Sequence, residues 1–180
     1  KTIGLLGGMS WESSALYYRW INELMRKKLG GFHSAKIILF SLDFQDIEKL
    51  QQNGAWKEAG ETLAQYAKKI EHAGAEFLLI CTNTMHKISK EVEEAIDIPV
   101  LHIADATAEV IKLKGMRKVG LLGTRFTMEE DFYAGRLKEK HGLEVLIPSR
   151  ADRQLVNQVI YEELVLGIIK EDSRKAFLRI

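Results

Sequence analysis

Four apolar residues at positions 77–80 run without a polar break into Cys81, the only cysteine of the chain. A run this short and this apolar predicts a strand covered on both faces, as in a parallel sheet flanked by helices; a strand with one wet face would alternate. Thr82, Asn83 and Thr84 follow with side-chain oxygens suited to capping a helix, and Met85, Ile88 and Val92 form an apolar stripe for that helix to bury. The thiol is thus predicted between a strand tip and a helix start. Ligands of α/β sheets bind beyond the carboxyl ends of strands, and free helix-start amides there favour a thiolate, whereas burial opposes it.

The rest of the chain repeats this alternation. Residues 2–6 predict a strand, and Gly7, Gly8, Met9 and Ser10 turn into an amphipathic helix carrying Leu16, Tyr17, Trp20, Ile21, Leu24 and Met25, ended by Gly30 and Gly31. Residues 35–42 predict a second strand, followed by a polar segment through Asn53 and Gly54 and a helix over 57–72 stopped by Gly74. After the helix that follows Cys81, residues 98–103 predict a fourth strand entered through Pro99, and 104–113 another helix. Strand and helix in strict turn argue for an α/β fold with parallel sheets and right-handed crossovers.

At Lys118 the pattern restarts: Lys-Thr-Ile-Gly-Leu-Leu-Gly at 1–7 matches Arg-Lys-Val-Gly-Leu-Leu-Gly at 117–123, an offset of 116 residues. A helix over 127–140, a strand over 143–147 ending at Pro148 and a helix over 152–166 closed by Gly167 follow in the order of the first half. The sequence therefore reads as two pseudo-symmetric α/β halves from an internal duplication, residues 1–98 with the thiol and residues 99–180 without. A faithful copy would put the counterpart of Cys81 near position 197. Residues 172–180 begin one more amphipathic helix with Ala176, Phe177 and Ile180, and no strand follows to bury its stripe, so the natural chain is expected to continue past Ile180.

Composition narrows the chemistry. A net charge of +1 spread over interspersed acids and bases offers no basic face for nucleic acid and no polybasic or amphipathic membrane anchor. One cysteine and no spanning or signal segment point to a reducing cytoplasm. His33, His72, His102 and His141 lack ligand spacing, so no metal site is expected, and Gly-Leu-Leu-Gly-Gly-Met-Ser lacks both the dinucleotide spacing and a Walker lysine. His86, five residues past Cys81, reads as packed or solvated rather than as the thiol's base, and Trp11, Trp20 and Trp56 as packing or bordering the cleft. What is left is a small polar ligand: two strand-to-helix loops that donate amides, with the hydroxyls of Ser10, Thr82 and Thr84 and the amide of Asn83, suit a carboxylate. A thiolate beside it could remove the proton from the adjacent carbon or attack an electrophilic carbon. A buried cysteine that merely packs is the alternative.

The stretches Gly-Leu-Leu-Gly-Gly-Met-Ser-Trp-Glu-Ser at 4–13, Ala-Gly-Ala-Glu-Phe-Leu-Leu-Ile-Cys-Thr-Asn-Thr-Met-His-Lys at 73–87, His-Ile-Ala-Asp-Ala-Thr at 102–107 and Gly-Leu-Leu-Gly-Thr-Arg-Phe-Thr-Met-Glu-Glu-Asp-Phe-Tyr at 120–133 resemble the aspartate/glutamate racemase family, especially its broad-specificity amino-acid racemase branch. The resemblance implies a cofactor-independent isomerase, free of pyridoxal phosphate, that is commonly a homodimer and uses one cysteine from each half as paired acid and base on a small amino-acid substrate. It implies that Cys81 is the first catalytic thiol and that Thr82, Asn83 and Thr84 hold the substrate's α-carboxylate or amino group. By the same resemblance Met9 and Ser10 border the substrate, Gln51 matches on a more variable segment, and Thr124 and Thr127 belong to the second-half loop that faces the cleft. The family's second thiol motif, Gly-Cys-Thr-Glu, lies outside these residues, and the bases that aspartate-specific members use on the side-chain carboxylate have no match. Two other functions stay open: a carboxylate-binding domain without chemistry, and an isomerase or lyase of the same superfamily using Cys81 as nucleophile.

Overall fold

A computed structural model describes all residues, 1–180. The chain divides into two compact units, Lys1–Leu101 and His102–Ile180. Both are α/β with parallel sheets, and no helix is long and apolar enough to cross a membrane.

In the first unit β1 (Ile3–Gly7) lies between β2 (Ile37–Ser41) and β3 (Phe77–Ile80), parallel to both. Its central position explains its composition: Leu5 and Leu6 point to opposite faces and both are fully buried. Gly4 in β1 leaves room that Ile70 and Leu78 occupy, since an added Cβ would come within 2.6 Å of Ile70 Cγ2. Helix α1 (Trp11–Leu29) follows β1 and ends on Gly30, whose φ of 76° is open to glycine. Beyond β2 come α2 (Phe44–Gln52) and α3 (Trp56–His72). Leu63, Ala67 and Ile70 of α3 close the core over Leu6, Leu78 and Ile80, with Ile47, Met85 and Val92 completing it.

Three expectations change here. The polar segment after β2 contains α2: Asp43 accepts a hydrogen bond from the Gln45 amide and caps it, and Ile47 sinks into the core while the outer face stays charged. The fourth strand shrinks to a single bridge, Leu78 to Val100, flanked by Leu78 N–H donating to Pro99 O and Leu101 N–H donating to Leu78 O. Pro99 has no N–H to extend a ladder. Finally, of packing and bordering, packing is the reading that falls away for Trp11 and Trp20, which stand 61% and 56% exposed on α1. Trp56 does pack against the core, with Lys87 Nζ 3.9 Å from its ring centroid.

The second unit starts with α5 (Ile103–Leu113), preceded in the first unit by the short α4 (Ser89–Glu93). The buried ring of His102 caps α5 by accepting from the Ala104 amide at 3.2 Å. Strands β4 (Lys118–Gly120) and β5 (Glu144–Leu146) pair in parallel, as β1 and β2 do in the first unit. The helix expected over 127–140 is two, α6 (Arg125–Glu129) and α7 (Asp131–His141), because Glu130 is extended at φ −106°, ψ 154°. Helix α8 (Arg150–Glu162) likewise stops early, at Glu163, where a 3-10 turn leads to Gly167. The Glu163 carboxylate, nearly buried, accepts from Ser173 Oγ at 2.8 Å and pairs with Lys170 at 3.4 Å, tying that turn to α9 (Glu171–Arg179).

A polar clamp joins α5 to α7 over the small core of Ala104, Ala108, Tyr133, Leu137 and Leu143. Arg136 grips both Asp105 oxygens at 2.7 Å, Lys140 reaches Oδ2 at 2.7 Å and His141 Nε2 reaches Oδ1 at 2.8 Å. The Arg136 fork foremost holds the Asp105 carboxyl well below the usual carboxylate range, against the partial burial that pushes it up. A carboxylate with a depressed folded pKa stabilises the fold above its unfolded pKa and loses that contribution as pH falls. Amide hydrogen exchange in α5 and α7 should therefore accelerate as pH drops below about 4, after correction for intrinsic rates. Asp105→Asn should show fast exchange already at pH 6, and equal protection in the variant at that pH would refute the clamp.

Candidate functional site

Because β1 and β3 are parallel neighbours, the chain leaves both at the same sheet edge, and the Cys81 amide donates to Leu6 O at 2.9 Å just beyond the last β3 residue. Gly8 follows β1 with φ 91°, and an added Cβ would lie 2.2 Å from the Leu42 carbonyl oxygen and 2.3 Å from its nitrogen. Only glycine fits this crossing, since neither backbone can yield. Leu42 N–H donates to Gly7 O at 3.0 Å, locking the segment after β2 onto the same turn.

The first turn of α1 fastens these loops. Buried Ser14 accepts from the Gly8 amide at 2.8 Å and donates to Ser10 O at 3.2 Å. Ser13 Oγ donates to Cys81 O at 3.1 Å, so one helix turn holds the loop after β1 and the carbonyl of the cysteine. Neither serine was singled out above. Their signal was the spacing: Ser10, Ser13 and Ser14 stand i, i+3 and i+4, which on a helix is one face. The Gly8 amide, engaged by Ser14, is not available to a ligand.

Beyond Cys81, Thr84–Ile88 form a 3-10 turn before α4, and Asn83 at its start makes no side-chain cap. The capped α-helix expected there is thus a tighter turn without a side-chain cap. Thr82 is half-buried, Asn83 exposed and Thr84 buried. The buried His86 ring sits 2.7 Å from Thr82 O through Nδ1, so this histidine is packed and holds the loop from its far side. Gln51, in the last turn of α2, is also buried and donates to Met85 Sδ at 3.0 Å, which brings it against the same turn. Met9 and Ser10 are buried in the β1 loop. In unit 1, Met9, Ser10, Gln51 and Thr82 to Thr84 therefore all belong to three segments tied around Cys81 by the bonds above.

Thr124 and Thr127 lie in the second unit. Thr124 Oγ1 accepts from the Thr127 amide at 3.3 Å and lies 3.2 Å from Thr127 Oγ1, capping α6. Thr127 is buried, and a Cβ on Gly123 would come within 2.9 Å of its own Cβ.

The thiol does not meet the expectation of a helix-start thiolate. Cys81 is 0% exposed, its Sγ reaches only Leu79 O at 4.0 Å, and burial pushes its pKa up to about 12. Removal from water opposes the anion, and a single 3-10 turn supplies too little dipole to offset it. No group of three His, Cys, Asp or Glu side chains is placed to hold a metal ion.

The model of the family described as Asp/Glu/Hydantoin racemase matches residues 6–180. Over 163 residues the chain is 32% identical to the broad-specificity amino-acid racemase RacX of Bacillus subtilis, covering 88% of this chain and 69% of that protein. Among solved structures, a protein of Yersinia pestis assigned as an Asp/Glu racemase superposes with a TM-score of 0.91 at 57% identity, over 100% of this chain and 78% of that one. PH1733 of Pyrococcus horikoshii, described as an aspartate racemase homologue, gives 0.80 at 38% identity, over 94% and 74%.

The buried thiol makes a direct chemical forecast. At pH 8 native Cys81 should react with iodoacetamide at least about a hundredfold more slowly than in the urea-unfolded chain, because thiolate is the reactive form and the unfolded pKa is ordinary. Native labelling as fast as the unfolded rate would mean that the thiol is open and ionised.

Proposed function

The chain belongs to the Asp/Glu/Hydantoin racemase family, and on that premise we propose that its protein interconverts L- and D-amino acids without a cofactor, with Cys81 as one of two thiols acting on opposite faces of the α-carbon. The observation that carries this reading is the placement of the sole cysteine at the end of β3, where Ser13 of α1 and Leu6 of β1 hold its backbone.

In the reaction Cys81 thiolate takes the α-proton, and the electron pair of the C–H bond passes into the α-carboxylate. The second thiol, expected near position 197 if the second half copies the first, delivers its proton to the other face, and the substrate leaves inverted. Thr82, Asn83 and Thr84 bind the carboxylate or amino group, and Met9, Ser10 and Gln51 border the substrate. Burial is the one cause acting on the Cys81 pKa. A substrate ammonium beside the sulfur supplies the opposite charge that lowers it. Substrate breadth is supported by the likeness to RacX, and action on aspartate by the likeness to the Pyrococcus protein.

In the protein carrying both thiols, Cys81→Ala should lower racemisation by about 10²–10⁴-fold, the usual worth of a positioned acid or base. The measurement is circular dichroism of L-aspartate, L-glutamate and several neutral amino acids, with the reaction in D₂O placing solvent deuterium at the α-carbon of the product. Undiminished turnover in the variant would remove Cys81 from the mechanism. A covalent adduct on Cys81 would favour the nucleophilic isomerase or lyase. The reading as a carboxylate-binding domain is favoured by one feature, the closed and neutral thiol, and gains if the intact protein binds these amino acids without inverting them.

The homodimer that the resemblance implies has a natural seat on α1, where Leu16, Trp20 and Leu24 stand exposed at i, i+4 and i+8. Trp20→Asp should shift sedimentation toward the monomer, and a dimer that persists would place the contact elsewhere.

A further inference from the structure

The second unit contains a cavity of about 320 Å³ that the reaction above does not use, lined by Arg125, Glu129, Arg150, Arg153, Gln154 and Asn157. Its position follows from the sheet. Strands β4 and β5 are parallel, so α6 and α8 begin near one sheet edge, and Arg125 and Arg150 are the first residues of those helices. The Arg125 amide donates to Asn157 Oδ1 at 2.7 Å, fastening the start of α6 to the middle of α8. That bond leaves the Asn157 side-chain amide as a donor.

The charges of the lining do not balance. Arg153 is engaged, donating to Glu129 Oε1 from Nε and to Pro148 O from Nη1, at 2.7 and 2.8 Å. Glu129, the one carboxylate on the wall, is thereby neutralised. No carboxylate pairs with Arg125, whose guanidinium carbon lies 5.1 Å from the Phe126 ring centroid, or with Arg150. Three arginines against one glutamate leave a formal charge of +2 around one cavity. Two unpaired planar forks, the side-chain amides of Gln154 and Asn157 and the positive end of a 13-residue helix favour an oxyanion with two charges. The volume, equivalent to about ten waters of liquid, exceeds what a bare phosphate fills.

We propose that this cavity binds a small dianionic metabolite, a phosphomonoester or a dicarboxylate, with Arg125 and Arg150 as its principal contacts. The site needs no residue of the first unit and stands or falls independently of the role of Cys81.

Titration calorimetry with inorganic phosphate and with succinate as separate probes tests it. At least one probe should bind saturably at one site per chain, and its affinity should fall as salt is raised, as a charge-driven contact requires. Arg125→Gln and Arg150→Gln, both changes of exposed side chains, should each weaken binding tenfold or more, while Glu129→Gln should tighten it. Lys57→Gln, a charge change of equal size on α3, should leave it unaltered. Binding of phosphate alone assigns the phosphomonoester class and of succinate alone the dicarboxylate class. Absence of saturable binding of both, or affinity that survives either arginine substitution, would overturn the proposal.

Discussion

The crossing of Gly8 over the backbone of Leu42 is the contact on which the first unit's sheet edge depends. Three segments meet there: the turn after β1, the chain leaving β2 and, through Leu6, the start of the Cys81 loop. Backbone atoms on both sides leave no flexible group to absorb a Cβ, so the geometry is set by the absence of a side chain. Ser14 then supplies from α1 the hydrogen bond that the displaced Gly8 amide lacks in the sheet. The result is a rigid edge on which Ser13 can hold the Cys81 carbonyl.

That rigidity has an electrostatic consequence. Packing the loop this closely removes Cys81 from water, and a thiolate without solvent and without a nearby cation is disfavoured. The strand-end placement is thus also what keeps the sulfur neutral, and the proposed chemistry needs a charge brought by the substrate. The second unit shows the reverse imbalance: Asp105 is surrounded by cations, while Arg125 and Arg150 have no carboxylate at all.

Much of this was open to reading in the letters. The strand over 77–80, the helix over residues 11–29 with its glycine stop and the parallel character of the sheets follow from apolar runs and glycine punctuation, because burial on two faces or one stripe leaves a periodic trace. Ser10 and Thr82 to Thr84 were legible from the loops that follow β1 and β3, whereas Met9 and Gln51 rested on the family resemblance, Gln51 lying in the last turn of α2. Helix α2 was hidden because its nine residues bury only Ile47 and Gln51, too few to outweigh a polar composition. The breaks at Glu130 and Glu163 were hidden because neither residue is a helix breaker by type; local backbone geometry and, at Glu163, bonds to Ser173 and Lys170 set them.

By itself the sequence determined the alternation of elements, the glycines that permit the turns and the single thiol at a strand end, since these rest on local propensity and period. The tertiary structure alone decided that the thiol is closed and neutral, that Ser13, Ser14 and His86 hold its loop, and that three arginines from two helices share one cavity. Desolvation, hydrogen-bond partnership and charge balance depend on neighbours far along the chain, and no local pattern encodes those distances.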